Sequence, residues 1–155
     1  MIQEQSPSIL QNAVKVGDTI LNSVDVHDYC AHDGIMIDGG REYMRRGGDF
    51  NRTDVTDLCI TTDMPTSVYA DRVLWGTRGK DGKDEFKWVL LKDCTNEHLA
   101  NILENQKKIA NHVKHAIYYI LHKRAIAAIG NSSYFSFYRD QSLAIRFARQ
   151  RPDMK

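Results

Sequence analysis

The sequence predicts an α+β fold, in which a small antiparallel sheet of β-hairpins packs with C-terminal helices. Two Asp-Gly pairs, at residues 33–34 and 81–82, each lie between runs of β-prone residues and mark hairpin turns. Apolar residues at helical spacing dominate the chain after residue 95. The 155 residues are 42% apolar, which is enough for one domain with its own core. The predicted parts are a flexible leader over residues 1–10 and a single domain over residues 11–155, hairpin-rich over 11–93 and helical over 95–155.

The first hairpin turns at Asp33-Gly34, because a two-residue turn of this type needs positive φ at both central positions. The turn fixes the register, so Cys30 should face Ile37 and Ala31 should face Met36. Side chains alternate between the two faces of a strand. Neighbouring residues in this hairpin should therefore point in opposite directions.

The same segment holds five residues of types that bind metals: His27, Asp28, His32, Asp33 and Asp38. In the HD-type metal phosphohydrolases, an adjacent His-Asp pair sits on a helix and both side chains reach the metals. A strand separates neighbours, and the glycine after the second pair disfavours a helix. We therefore expect hairpin-turn and capping roles here, with no metal and no cofactor. A metal-dependent phosphoesterase or nuclease built on these residues is the alternative.

A basic and aromatic segment follows, bracketed by the glycine pairs at residues 39–40 and 47–48. Glycines let backbone amides approach an anion, arginine forks bind phosphate oxygens in pairs, and a tyrosine ring stacks on a base. The spacing matches neither a Rossmann nor a Walker motif. The other interpretation is that the glycines relieve strain and the arginines form surface salt bridges. The candidate ligand-binding residues, two of them from the second hairpin, are Arg41, Tyr43, Arg45, Arg46, Arg78 and Lys80.

The second hairpin places two β-prone runs on either side of a turn over residues 79–84. Phe86 and Trp88 alternate with polar and aliphatic residues on the returning strand, so their rings share one face. We expect Trp75 and Trp88 to anchor the core.

Three helical segments follow the hairpins. Thr95 is the predicted N-cap of the first. A longer helix should run from about Lys107 to Ala128 and end at Gly130-Asn131. Its apolar stripe consists of Ile109, Val113, Ile117, Ile120 and Leu121. An aromatic segment at residues 134–138 and a basic amphipathic segment from Gln141 to Arg151 complete the chain.

The net charge of +1 conceals an asymmetry. Residues 1–105 hold 11 Lys+Arg against 18 Asp+Glu, a net charge of −7, and residues 106–155 hold 10 against 2, a net charge of +8. This division predicts a homo-oligomer held partly by charge, or a basic part that binds nucleic acid, nucleotides or an acidic partner. We expect no membrane contact, because the chain lacks an apolar run of about 18 residues and a secretion signal. The three cysteines should be reduced thiols in the cytoplasm.

Two sets of motifs resemble proteins of tailed bacteriophages. The segments Val26-His27-Asp28-Tyr29, Ile37-Asp38-Gly39-Gly40 and Tyr43-Met44-Arg45-Arg46 resemble an uncharacterised family of small proteins from these phages. The segment from Trp75 to Lys83, with Trp88 to Leu91, is similar to a second phage-borne motif. Relatives of the first kind should carry cysteine pairs resembling a zinc ribbon, and residues 13–17 of this chain contain no cysteine.

The resemblance implies a phage origin and a place in the host cytoplasm. Small non-structural phage proteins commonly act against host defence. We therefore expect an accessory protein that counters host antiviral defence by non-catalytic binding, either by sequestering a nucleotide signal or by blocking a host defence protein. No nucleophile-base pair or complete metal-ligand set emerges, so no catalytic residue is predicted. A structural or assembly factor is the remaining alternative.

Overall fold

The computed structural model describes residues 6–130 and 137–155 of the chain. It confirms the predicted α+β class, with small antiparallel sheets followed by C-terminal helices. The chain divides into two compact units, residues 1–64 and 65–155. The expectation of a single folding domain stays a prediction.

The first unit is built from short antiparallel strands. Their bounds are β1 Ile9–Gln11, β2 Ala13–Val16, β3 Thr19–Asn22, β4 Cys30–His32, β5 Ile35–Asp38, β6 Arg45–Gly47, β7 Val55–Asp57 and β8 Ile60–Thr61. They form the sheets β3-β2-β7, β4-β5-β6 and β1-β8. Strand β1 begins inside the predicted leader, because Ile9 pairs with Thr61 of β8.

The core of this unit lies between two of its sheets. Alternate residues of the β3-β2-β7 sheet and of β5 point inward and form one buried cluster. Its members are Val14, Val16, Leu21, Ile35 and Ile37. The partly buried side chains of Cys30, Phe50 and Val55 pack against it.

The β4-β5 hairpin confirms the predicted turn and register. Asp33 has φ 48° and Gly34 has φ 80°, as a two-residue turn with positive φ requires. Cys30 faces Ile37 and Ala31 faces Met36. The sequence does not predict β6, the third strand of this sheet. Arginine and glycine have weak strand preference, so only pairing with β5 defines this strand.

The second unit joins a β-hairpin to helices. Its elements are α1 Thr66–Tyr69, β9 Leu74–Thr77, β10 Lys87–Leu90, a 3₁₀ turn at Leu91–Asp93, α2 Asn96–Asn105, α3 Asn111–Ile129 and α4 Gln141–Gln150. The second predicted hairpin is confirmed, with Lys87 opposite Thr77. Trp75 and Trp88 are half-buried, and the buried residues of this hairpin are Leu74 and Leu90.

The helix boundaries follow the predicted caps, with one difference. The Thr95 hydroxyl accepts a hydrogen bond from the backbone nitrogen of His98, which confirms the N-cap of α2. Helix α3 begins at Asn111 and not at Lys107, because the chain leaves α2 at Gln106 in an extended conformation. Four of the five predicted stripe residues are buried, and the fifth lies in this link and is half-buried. Gly130 ends α3 with φ 100°, as predicted.

The aromatic segment predicted at residues 134–138 lies mostly outside the described residues. Of its members, Phe137 and Tyr138 are described. Phe137 is fully buried, and its ring stacks on that of Phe147 with 5.8 Å between centroids. Helix α4 is capped by Asp140, whose carboxylate accepts from the backbone nitrogen of Ser142 at 3.0 Å. The predicted C-terminal amphipathic segment is therefore confirmed as a helix.

The last residues of the chain bind the first turn of α2. The backbone nitrogens of Asn96 and Glu97 donate to the carbonyls of Met154 and Pro152, at 2.8 and 3.1 Å. The half-buried Arg124 of α3 donates to the side-chain oxygen of Asn96 at 2.7 Å and to the Met154 carbonyl at 3.4 Å. A third bond from Arg124 reaches the Lys92 carbonyl at 3.0 Å. One guanidinium group thus joins three segments of the second unit.

The three cysteines are thiols and form no disulfide. Burial raises the pKa of the Cys94 thiol to about 11, and burial followed by the nearby Asp28 raises that of Cys30. Both groups are therefore protonated at neutral pH. In the described parts of the chain, no helix combines the length and the apolar character that a membrane crossing needs.

Candidate functional site

Two loops of the first unit lie directly against each other, residues 24–29 before β4 and residues 39–44 before β6. We call them the paired loops. The backbone nitrogen of Gly40 in the second loop donates to the Ser23 hydroxyl beside the first loop, at 2.9 Å. A Cβ atom on Gly40 would lie 2.7 Å from the backbone nitrogen of Val26, so the two backbones are in contact.

A buried asparagine holds the second of the paired loops. Asn12 is 1% exposed, and its side-chain nitrogen lies within hydrogen-bond distance of three carbonyl oxygens of this segment. These are the carbonyls of Asp38 at 3.0 Å, Gly40 at 3.1 Å and Tyr43 at 3.4 Å. One side chain from the strand region thus fixes the course of the loop.

Asp28 holds the first of the paired loops. Its carboxylate accepts from the backbone nitrogens of Val24 and Asp25, at 3.1 and 3.0 Å. The Ser23 hydroxyl donates to the Asp28 carbonyl at 2.7 Å. Ser23 therefore contacts both loops, and the capping role predicted for Asp28 is confirmed.

Two more of the five possible metal ligands form hydrogen bonds within the first unit. Asp33 binds Arg52 through its carboxylate at 2.8 Å, and Asp38 accepts from the backbone nitrogen of Gly39 at 2.8 Å. The φ of 48° at Asp33 confirms its predicted turn role, and the bond from the Gly39 backbone is a capping contact of Asp38. Within residues 6–130 and 137–155, no group of three or more His, Cys, Asp and Glu side chains is placed to hold a metal ion.

Strand β6 separates the two adjacent arginines of the candidate site. Arg45 pairs with Asp38 in the sheet and has a side chain that is 64% exposed, with a nitrogen 3.4 Å from the Asp38 carboxylate. Arg46 pairs with the fully buried Ile37, and its own side chain is only 23% exposed. Because neighbouring residues on a strand face opposite ways, the two guanidinium groups lie on opposite faces of the sheet.

The Arg46 side chain packs against other residues of the first unit. Its guanidinium donates to Asp57 at 3.0 Å and lies over the ring of Phe50, 4.9 Å from the centroid. Burial alone would lower the pKa of Arg46, but the hydrogen bond to Asp57, the charge of Asp57 and the nearby Cys59 together outweigh burial and raise that pKa. Burial would likewise raise the pKa of Asp57, but hydrogen bonds from Arg46 and from the Cys59 backbone lower it.

The Arg46–Asp57 pair should make the stability of the protein depend on acid pH. A carboxylate whose pKa is lowered by folding stabilises the native state fully above its unfolded pKa of about 3.9, and this stabilisation is lost as the pH falls through the folded pKa. We expect the decrease in free energy of unfolding below about pH 4 to be smaller in Asp57→Asn and in Arg46→Met than in the wild type. Urea denaturation between pH 2.5 and 6 measures it. An equal decrease in the free energy of unfolding below about pH 4 in all three proteins would contradict this role.

The remaining candidate residues divide between the two units. Arg41 and Tyr43 are exposed on the second of the paired loops, next to Arg45. Arg78 and Lys80 are exposed on the loop of the β9-β10 hairpin, in the second unit. Arg41, Tyr43 and Arg45 are thus exposed within five consecutive residues. The proposed ligand role of all six residues stays a prediction.

The paired loops also present apolar side chains to solvent, of which the sequence interpretation identified only Tyr43. Eight large apolar side chains are exposed in the described part of the chain, and four of them lie on these two loops. They are Val24 at 48%, Tyr29 at 60%, Tyr43 at 48% and Met44 at 40%. Tyr29, Tyr43 and Met44 fall within the phage-like motifs, which is the signal that could have identified them. Asn12 and Ser23, which hold the loops, have no such signal.

The surface at the paired loops therefore combines fixed backbone, exposed rings and two arginines. No protein-family model, curated protein or solved structure matches the chain. The resemblance to small tailed-bacteriophage proteins consequently stays a prediction.

Proposed function

We propose that this protein is a non-catalytic binding protein of a tailed bacteriophage, which counters host defence by occupying a host protein through the paired loops. The observation that carries this proposal is the concentration of exposed Tyr, Met and Val side chains beside Arg41 and Arg45. The phage origin and the host target rest on the motif resemblance alone.

The side chains of this surface are those that carry binding energy in protein interfaces. Tyrosine, methionine and arginine are enriched at interface cores, and a few such residues supply most of the affinity. The paired loops are held by Asn12, Ser23 and Asp28 through hydrogen bonds. A preformed surface loses little conformational entropy when it binds. These features support recognition of a partner without a chemical reaction.

A protein partner fits this surface better than a nucleotide does. The first unit holds 5 Lys+Arg against 11 Asp+Glu, a net charge of −6. Arg45 and Arg46 each have an aspartate partner within the unit. A phosphate ligand must therefore compete with carboxylates for these arginines. Nucleotide sequestration is the second candidate, and the exposure of Arg41, Tyr43 and Arg45 within five consecutive residues favours it.

The test compares the wild type with a Tyr29→Ala/Tyr43→Ala double variant. Host proteins that copurify with the tagged wild type are identified, purified, and titrated calorimetrically against both proteins. Loss of one central interface residue weakens binding by about 30-fold or more, so the double variant should bind at least a hundredfold more weakly. Val68→Ala, a change of a side chain 41% exposed in the second unit, is the matched control and should bind as the wild type does.

Two outcomes decide against the protein partner. A purified partner that binds the double variant with unchanged affinity would place the interface elsewhere. In the second outcome, one member of a nucleotide panel raises the melting temperature of the wild type but not that of Arg41→Gln. If that nucleotide is then recovered intact after heating, the protein sequesters it. Recovery of an altered nucleotide would establish an enzyme.

Self-association is the remaining partner expected from the sequence. The second unit holds 16 Lys+Arg against 9 Asp+Glu, a net charge of +7, opposite in sign to the first unit. This complementarity supports a charge-held homo-oligomer as a further proposal.

A further inference from the structure

The second unit presents two aromatic rings over a glycine of the β9-β10 hairpin. Gly76 of β9 lies opposite Trp88 of β10, and Phe86 lies two residues before Trp88. A Cβ atom on Gly76 would lie 2.6 Å from two atoms of the Phe86 ring and 3.4 Å from the Trp88 ring. The two rings meet edge to face, with 5.1 Å between centroids and an interplanar angle of 87°. We call this arrangement the ring platform.

The ring platform is accessible to solvent. Phe86 is 49% exposed, and Trp88 is half-buried. Covering a strand glycine with an aromatic ring stabilises a hairpin, and this accounts for the position of Phe86 above Gly76. This role does not require half of the Phe86 surface to stay exposed, nor a guanidinium group to lie over its ring.

Cations border the ring platform. The Arg78 guanidinium lies 5.8 Å from the centroid of the Phe86 ring. Two lysines of the hairpin loop are exposed, namely Lys80 and Lys83. Three acids lie on the loop as well, and one of them, Asp84, is turned back onto Gly79, with its backbone nitrogen 2.8 Å from the Arg78 carbonyl. With a net charge of +7, the unit as a whole favours a polyanion.

We propose that the ring platform binds single-stranded nucleic acid. Bases stack on Phe86 and Trp88, and Arg78, Lys80 and Lys83 contact the phosphates. Exposed rings among cations are the combination that binds single strands without sequence preference, because every base has a face that stacks. A duplex keeps its base faces covered, so this surface discriminates against it. This inference does not depend on the paired loops or on their partner.

The experiment uses a fluorescein-labelled oligo(dT) of 20 nucleotides and an unlabelled copy. Both tryptophans of the chain, Trp75 and Trp88, lie on this hairpin. Trp75 faces the other side of the strand, because it adjoins Gly76 and pairs with Val89. In Trp75→Phe, Trp88 is the remaining tryptophan, so quenching of its fluorescence by the unlabelled strand reports stacking directly. We expect this variant to bind with wild-type affinity and to be quenched.

Phe86→Leu separates stacking from the structural role of the ring. Leucine still covers Gly76 and keeps the hairpin folded, but it offers no face for a base. We expect its affinity for oligo(dT), measured by fluorescence anisotropy, to fall about tenfold with an unchanged melting temperature. Lys80→Gln/Lys83→Gln should make the negative slope of log affinity against log salt shallower by about 1.4, since each contact with a single strand contributes about −0.7. Lys107→Gln/Lys108→Gln, the same charge change elsewhere in the unit, should leave the slope unchanged.

Three results would overturn the proposal. The first is the absence of an anisotropy change at 50 mM salt. The second is wild-type affinity in Phe86→Leu together with no quenching of Trp88 in Trp75→Phe. The third is equal affinity for oligo(dT) and for a duplex of the same length. This result would mean that binding is non-specific electrostatic attraction and does not involve base stacking.

Discussion

Replacing Gly40 with alanine is expected to lower the free energy of unfolding by about 3 kcal/mol or more and to abolish the binding that we propose for the paired loops. Two physical costs combine at this position. Gly40 has φ 55°, a left-handed conformation that side chains disfavour, and a Cβ atom would overlap the backbone of Asp25 and Val26. The two loops would have to separate, which would also remove the bond from the Gly40 backbone to Ser23. Urea denaturation followed by far-ultraviolet circular dichroism measures the loss.

Gly17 offers a matched control for this prediction. Its φ of 57° is nearly the same as that of Gly40, but a Cβ atom there would meet nothing within 4 Å. Gly17→Ala should therefore cost only the conformational strain, about 1 kcal/mol. The difference between the two variants isolates the contact between the loops. Equal losses in both would mean that the close approach of the loops contributes nothing to stability.

Replacing Arg124 with methionine is expected to lower the free energy of unfolding by about 2 to 4 kcal/mol. Methionine keeps much of the apolar volume but donates no hydrogen bond. The side-chain oxygen of Asn96, which is fully buried, would lose its charged donor, as would the carbonyls of Lys92 and Met154. Tryptophan fluorescence during guanidinium denaturation measures the change, since both tryptophans lie in this unit.

Hydrogen exchange gives this prediction a second, local measurement. The backbone nitrogens of Asn96 and Glu97 donate to the C-terminal residues that Arg124 helps to hold. Their amides should exchange at least tenfold faster in Arg124→Met, in line with the loss of stability. Lys123→Met, at the neighbouring exposed position of α3, should leave both stability and exchange close to those of the wild type. Unchanged exchange in Arg124→Met would show that this side chain does not hold the C-terminal residues.

The sequence predicted those elements whose determinants are local. The turn at Asp33-Gly34, the cap at Thr95 and the helix end at Gly130 each depend on the preferences of one or two residues, and all three are confirmed. The late start of α3 is different. The local pattern around Lys107 suits a helix, but the chain leaves α2 at Gln106 in an extended conformation, so the next helix begins only at Asn111.

The candidate site was predictable only in part, because its geometry depends on distant pairing. Strand β6 has no local signal, so the separation of Arg45 from Arg46 becomes visible only once β5 pairs with it. Asn12 is a more extreme case, since its three carbonyl partners lie 26 to 31 residues further along the chain. A single asparagine in a strand-rich segment gives no indication of such partners.

The alternation of strand β6 has a consequence for how this protein can evolve. Codons 45 and 46 both encode arginine, but one side chain is exposed and the other is packed, so substitutions at the two positions have different effects. Arg45 is 64% exposed beside the paired loops, so its codon is free to change without disturbing the packed interior. Arg46 is tied to Asp57 and Phe50 inside the unit, so its codon changes only together with theirs. Substitution can therefore proceed at one position while its neighbour preserves the fold.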